Sequence, residues 1–428
     1  MSKKNDKAKT KVEEIKEEPL NIPEDEIWTY RIEGLQAPRI VDKTVSLKSK
    51  IIIIVVLLVA IILSIYFSIR AVSNEEFDYK EVESGIELVK YSNVDGVKEL
   101  TVDYMDGDKS KPITELHEYA FNCDEVIETI YLGKDIQLID GKTFYSCWNL
   151  QNVFVDDDNP YYCDIDGVLY DKELTQVIYY PSAHNIYLAK QAGYDYTLPK
   201  DGSITDDDFT SAVKLLNTCV INGTDINTLE GDNKTLLDKL TTLTGVTDYS
   251  KFIKDYNNKV GYYVIPSTVT KIGKLSFAYS DIFAVYIPEG VTEMETMSFF
   301  KAEKLAEVYS YTADEIVNDT VYENVGSKIK TYKSLPEGLE IIGSDCFTYD
   351  REINYMYIPA SVTKIGHHAF FNMCYKEGGN IVGLAEMNVA LSEDEFKNNA
   401  STGDSWLPTY DSGLFEKKIN VNYSSPRE

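Results

Sequence analysis

The chain has 428 residues, with 42 basic and 70 acidic side chains and a formal net charge of −28. A surface this acidic repels nucleic acid and anionic lipid and suits solubility outside a cell. Its six cysteines contain no C-x-x-C pair, which removes zinc-ribbon chemistry; they read as small buried hydrophobes, with a disulfide left open because sequence does not assign connectivity.

Residues 1–50 read as a disordered cytoplasmic tail. Lys3, Lys4, Lys7, Lys9 and Lys11 give way to Glu13, Glu14, Glu17 and Glu18, a mixture that buries too little apolar surface to fold alone. The run Ile51 to Ile69 is nearly unbroken in its apolarity. At ~1.5 Å per residue it spans roughly 28 Å, the thickness of a bilayer core, and predicts a transmembrane helix over 51–70. The long preceding tail and the length of the run argue against a cleaved signal. Arg39, Lys43, Lys48 and Lys50 precede the run, and Glu75, Glu76 and Asp78 follow it. The positive-inside rule therefore gives a single-pass type II topology, with the C-terminal part outside the cell.

Residues 71–95 read as an acidic stalk. From 96 to 376 one phrase recurs. It is cleanest as Ile265-Pro266-Ser267-Thr268-Val269-Thr270-Lys271-Ile272-Gly273 and Ile358-Pro359-Ala360-Ser361-Val362-Thr363-Lys364-Ile365-Gly366. A Phe follows each Pro by 11 residues, in the pairs Pro266/Phe277, Pro288/Phe299, Pro336/Phe347 and Pro359/Phe370. Phe121 and Phe144 lie 23 residues apart, as do Phe347 and Phe370. Within a unit, Val285 and Ile287 are spaced as inward strand positions, Pro288 ends the strand and the Phe fills the coil. One coil cannot bury its apolar side alone, so stacked coils are expected to share a continuous core containing all six Phe rings.

The period breaks in two places, near 210–258 and near 311–332. Residues 165–181 alternate as a hairpin with its turn at Asp171-Lys172-Glu173. Leu198-Pro199 with Phe209 reads as a degenerate repeat. Residues 210–258 read as a helical insertion, because Leu236, Leu237, Leu240 and Leu243 have helical spacing. Residues 311–332 form a second excursion, and 377–428 a C-terminal cap or tail over the open end.

The repeat phrase, together with Asn159-Pro160-Tyr161-Tyr162 and Asp166-Gly167-Val168-Leu169-Tyr170, resembles the BspA-like family of surface leucine-rich repeat proteins. The resemblance implies a β-rich leucine-rich-repeat solenoid of short strands and turns. It also implies adhesion-type binding of an extracellular protein or glycan, without catalysis or cofactor.

The residues assign no catalytic or metal site. His117, His184, His367 and His368 belong to no HExxH, and neither GxSxG nor GxxxxGK[ST] occurs. Asp156-Asp157-Asp158-Asn159 and Asp206-Asp207-Asp208 read as turn formers, with calcium as the rival reading. The candidate ligand-binding residues are Tyr131, Phe154, Tyr286 and Tyr357, each just before the closing aliphatic of a strand, with Tyr309 in the same phase. They are expected to face outward as a row spaced ~4.8 Å from coil to coil. Such a row suits glycan rings or apolar protein surface, although cross-strand aromatics also stabilise a sheet unaided. The expected function is a membrane-anchored surface protein binding host or neighbouring-cell macromolecules; the alternative is a structural or sensory envelope protein whose tail contacts an intracellular partner.

Overall fold

The computed structural model describes residues 77–427 except 94, 122–123, 195, 378–379, 385 and 409–419. The expected tail, membrane helix and first stalk residues lie outside the described residues. Among the described residues no helix is long and apolar enough to cross a membrane.

Where a stalk was expected, the chain forms a hairpin. Strand β1 (Phe77–Val82) pairs antiparallel with β2 (Gly85–Tyr91). Ile86, Leu88 and Tyr91 are buried, and the acidic residues that suggested a stalk, Asp78 and Glu81, lie on the outer side of β1. β2 then pairs parallel with the first coil, so the hairpin covers what would be an open edge.

Each coil has three sides. The first is a parallel ladder: β3 (Glu99–Val102), with β4 (Ile113–Leu116) turning away from it, then β5 (Thr129–Leu132), β6 (Leu138–Ile139) and β7 (Asn152–Val155). β3, β5 and β7 stack in register, so Leu100, Ile130 and Val153 share one inward column. β4 and β6 form the second side. The third side is the corner that carries the Phe.

A meander interrupts the coils: β8 (Tyr162–Ile165), β9 (Val168–Asp171) and β10 (Gln176–Tyr179), all antiparallel. Helices α1 (His184–Gln191), α2 (Asp206–Asn222), α3 (Gly231–Thr244) and α4 (Tyr249–Tyr256) follow. The helical segment therefore begins well before 210. Phe209 is no repeat Phe: Thr205 and Asp208 form a reciprocal capping box that starts α2, and Phe209 packs with Leu216, Leu237 and Phe252.

The coils resume with β11 (Tyr262–Val264), β12 (Lys271–Ile272), β13 (Ala284–Pro288), β14 (Glu293–Met294) and β15 (Glu307–Ala313). β15 runs on into an excursion containing α5 (Tyr322–Val325), which returns as β16 (Ile329–Tyr332) antiparallel to β15. Then come β17 (Ile341–Ile342), β18 (Met356–Ile358) and β19 (Lys364–Ile365). β10, β12, β14, β17 and β19 make one continuous parallel ladder. At the far end Phe396 packs on Trp406 at 5.7 Å, and Trp406 lies 6.4 Å from Phe370.

The Phe corner has a specific backbone reason. The residues two before and two after the Phe are left-handed in each later coil: Leu275 and Tyr279, Met297 and Lys301, Asp345 and Tyr349, His368 and Asn372, with φ of 54–72°. The alternation aims every second amide along the stack. Leu275, Phe277 and Tyr279 donate to Thr296, Ser298 and Phe300 at 3.2, 2.7 and 3.0 Å, and the same triplet recurs at the next two junctions. These bonds offset the cost of holding non-glycine residues at positive φ. They also set the Phe rings face to face: Phe277–Phe299 at 5.0 Å, Phe299–Phe347 at 5.1 Å and Phe347–Phe370 at 5.6 Å, each within 9° of parallel.

The six Phe rings do not share one interior, as expected, but two. Phe121 and Phe144 stack at 5.7 Å in an N-terminal cluster, and the other four lie in a C-terminal one. The division falls at successive residues. Tyr179 packs on Phe144, and Tyr180 packs on Phe277 from the opposite side of the chain. Adjacent residues at a strand end face opposite ways, so the meander splits the core.

Candidate functional site

The expected strand-face row exists only in part. Tyr131 and Phe154 are cross-strand partners with rings 5.6 Å apart, and Tyr131 is 39% exposed. Tyr286 and Tyr309 pair likewise at 4.9 Å, but Tyr286 is only 5% exposed. The reason is the excursion after β15: Tyr322 of α5 packs on Tyr286 at 4.6 Å, and Val317 and Val325 complete the cover. Tyr357 is also buried, at 4%, and belongs to a third sheet, where it faces Asn388. The five residues thus form two stacked pairs and a separate buried Tyr.

A different aromatic column runs along the Phe corners. Tyr119, Tyr145, Tyr279, Phe300, Tyr349 and Phe371 follow one another edge to face, with centroids 5.6–6.5 Å apart and ring planes at 79–90°. Tyr119 is exposed and the other five are half-buried. Trp148, also exposed, stands on Tyr279 at 4.5 Å. The Lys301 ammonium lies 5.3–5.8 Å from the Tyr279, Phe300 and Tyr349 rings. The column crosses the point where the core divides, and the hydroxyls of Tyr145 and Tyr279 meet there at 3.1 Å. Its signal in the sequence is an aromatic within two residues of each repeat Phe, a position the strand-based reading did not weigh.

A cavity of about 480 Å³ lies where the helices meet the coils. Tyr194, Tyr256 and Phe283 give it aromatic walls. Its polar groups come from both sides: Gln151 after a Phe corner, Asn217 on α2, and Tyr256 and Asn257 at the end of α4. The Asn257 Nδ2 donates to Asn217 Oδ1 at 2.7 Å. Two cations around it are paired: Lys214 with Glu352 at 2.7 Å, and Lys304 with Asp281 at 2.9 Å. His184 underpins the Gln151 backbone, with its Nδ1 donating to the Gln151 carbonyl at 2.8 Å. Burial holds the His184 imidazole neutral, with its pKa pushed down to about 4, and that hydrogen bond opposes the shift only partly.

The other singled-out residues serve the fold. Asp156 Oδ1 accepts from the Asp158 amide at 2.9 Å, and Asn159 caps Tyr161 and Tyr162 while donating to the carbonyls of Gly133 and Ile136. Asp208 closes the α2 capping box and pairs with Lys239 at 2.7 Å. Cys147, Cys219, Cys346 and Cys374 are buried and Cys163 is half-buried, and the Cys147 thiol donates to the Phe121 carbonyl at 2.9 Å. Among the described residues no group of three His, Cys, Asp or Glu is placed to hold a metal ion.

Comparison with known proteins identifies the repeat. The model of the BspA type leucine rich repeat region matches six copies over residues 103–184 and 251–376. No curated protein sequence matches the chain. Among solved structures, the chain is similar to the pneumococcal vaccine antigen PcpA at 15% identity, covering 77% of this chain and 67% of that one, with a TM-score of 0.32. It is also similar to a leucine-rich repeat protein from Eubacterium ventriosum, at 13% identity with coverage of 79% and 84% and a TM-score of 0.30. A leucine-rich repeat protein from Bacteroides ovatus shares 12% identity, with coverage of 82% and 70% and a TM-score of 0.32. The repeat match falls on the coils and is interrupted across the helices, so the coils are leucine-rich repeats of the BspA type.

Proposed function

We propose that the protein is a non-enzymatic leucine-rich-repeat solenoid held at the cell surface by residues 51–69, with its tail in the cytoplasm, and that it binds an extracellular protein or glycan of a host or neighbouring cell. The observation that supports this reading is the accessible aromatic column from Tyr119 to Phe371. Aromatic rings beside a cation are the side chains that contribute most at protein interfaces, and rigid rings lose little entropy on binding. The Tyr131–Phe154 pair is a second, smaller patch of the same kind.

The test displays the full chain on cells and measures their attachment to matrix proteins and immobilised glycans. Replacing Tyr119, Trp148 and Tyr349 together by Ser is expected to reduce attachment at least about tenfold, a loss typical of removing interface anchors. The melting temperature should stay within a few degrees. Deleting residues 1–50 should leave attachment intact. Attachment that survives the triple substitution, or that disappears only with the tail, overturns the reading.

A further inference from the structure

We infer that the cavity between the helices and the coils is a binding site for a small, neutral, polyhydroxylated ligand, namely a saccharide of one or two rings. Four polar side chains line it, and each keeps a donor or acceptor that no protein group takes up. Gln151, Asn217, Tyr256 and Asn257 are each more than nine-tenths buried. The Asn257 Oδ1 accepts no hydrogen bond. Among the described residues the Gln151 carboxamide, the Asn217 Nδ2 and the Tyr256 hydroxyl also make none, although Asn217 Oδ1 takes the Asn257 amide. The Gln151, Asn217 and Tyr256 groups reach the open space of the cavity, where hydroxyls of a ligand can take up the hydrogen bonds that the protein leaves unmade.

The chemistry of the space narrows what fits. Its 480 Å³ falls within the roughly 300–1,000 Å³ of small-molecule sites. Carboxamides both donate and accept, as sugar hydroxyls do, so each unsatisfied amide atom has a matching partner on such a ligand. Tyr194 and Phe283 offer ring surface to the C–H face of a pyranose. Charge argues against an ion: the lining carries Lys190, Lys214 and Lys304 against Glu128, Asp281 and Glu352, a balance of zero in a chain of net −28. The site is built jointly by the coils and the insertion, which gives the insertion a role that a repeat stack alone does not require.

The site is separate from the aromatic column, and its test reads a different quantity. The full chain, in a detergent without a sugar headgroup, is titrated with N-acetylglucosamine, its β-1,4-linked dimer, cellobiose, glucosamine and glucuronate. Ligand-observed saturation-transfer NMR reads binding. At least one neutral sugar should bind, with both charged ones weaker. Tyr256→Phe and Gln151→Ala should each raise the Kd about 5- to 10-fold, the loss of one or two hydrogen bonds. Ile316→Ser, at an exposed residue of neither site, should leave it unchanged. No saturation transfer from any neutral sugar, preference for a charged one, or an unchanged Kd in Tyr256→Phe overturns the proposal. Tyr256→Phe keeps the ring and so decides the matter even if Gln151→Ala fails to fold.

Discussion

His184 and Asp350 are buried ionisable side chains with opposite consequences. His184 is neutral in the fold with a pKa of about 4, against about 6.5 in an unfolded chain. Between those values the unfolded state takes up a proton that the folded state refuses. Its contribution is therefore complete above pH 7 and is lost as pH falls toward 4, by up to about 3 kcal/mol. Thermal melts of the wild type and His184→Gln should converge on going from pH 7.5 to 5.0, with the wild type losing more. Asp350 is fully buried with neither carboxyl oxygen hydrogen-bonded; the neighbouring Ala302 amide is already given to the Phe299 carbonyl at 3.0 Å. Burial raises its pKa well above the ordinary carboxyl value, so as pH rises the unfolded state releases its proton before the folded state does, and stability falls. Asp350→Asn removes that penalty. It should stabilise the protein by at least about 1 kcal/mol at pH 7.5 and by less at pH 4, as read from paired denaturant titrations.

At the scale of the element, the coil corner tolerates no bulk. A Cβ on Gly366 would lie 2.2 Å from the Ser344 nitrogen of the coil below, and one on Gly343 2.4 Å from the Glu295 carbonyl carbon. Gly366→Ala should therefore cost about 1–3 kcal/mol by forcing two coils apart. Gly290→Ala meets only the Val269 oxygen at 3.9 Å and should cost far less, which makes the pair an internal control in chemical denaturation. The corner was legible in the sequence because its Pro–Phe spacing repeats, and repeated spacing in a stacked structure places the same side chain in the same slot. The outward row was only half legible. Alternation along a strand says which way Tyr286 points, but not that residues 314–328 fold back over it. The α2 start was written in Thr205 and Asp208, yet the apparent Pro–Phe spacing of Leu198-Pro199 and Phe209 obscured it. The cavity was not legible, because Gln151 and Asn257 are far apart in the chain and meet only through packing of the helices on the coils.

For the whole molecule, surplus negative charge is spread over a stack with few cations to offset it. Self-repulsion of this kind is screened by salt, so the melting temperature should rise between 20 and 300 mM NaCl at pH 7.5, and an unchanged or falling value would contradict it. The C-terminal residues add a long-range tie: Arg427 bonds Ser334 at 2.8 Å, pairs with Glu289 and lies 4.0 Å from the Tyr332 ring. The division of the core between Tyr179 and Tyr180 has a mechanical corollary. A rope spliced in the middle parts at the splice, and a chain pulled from its ends should yield there first. Stretched in an optical trap, the protein should give two separate rips, one for the Phe121–Phe144 half and one for the longer four-ring half. A molecule built this way sheds load in stages, giving up one half while the other holds.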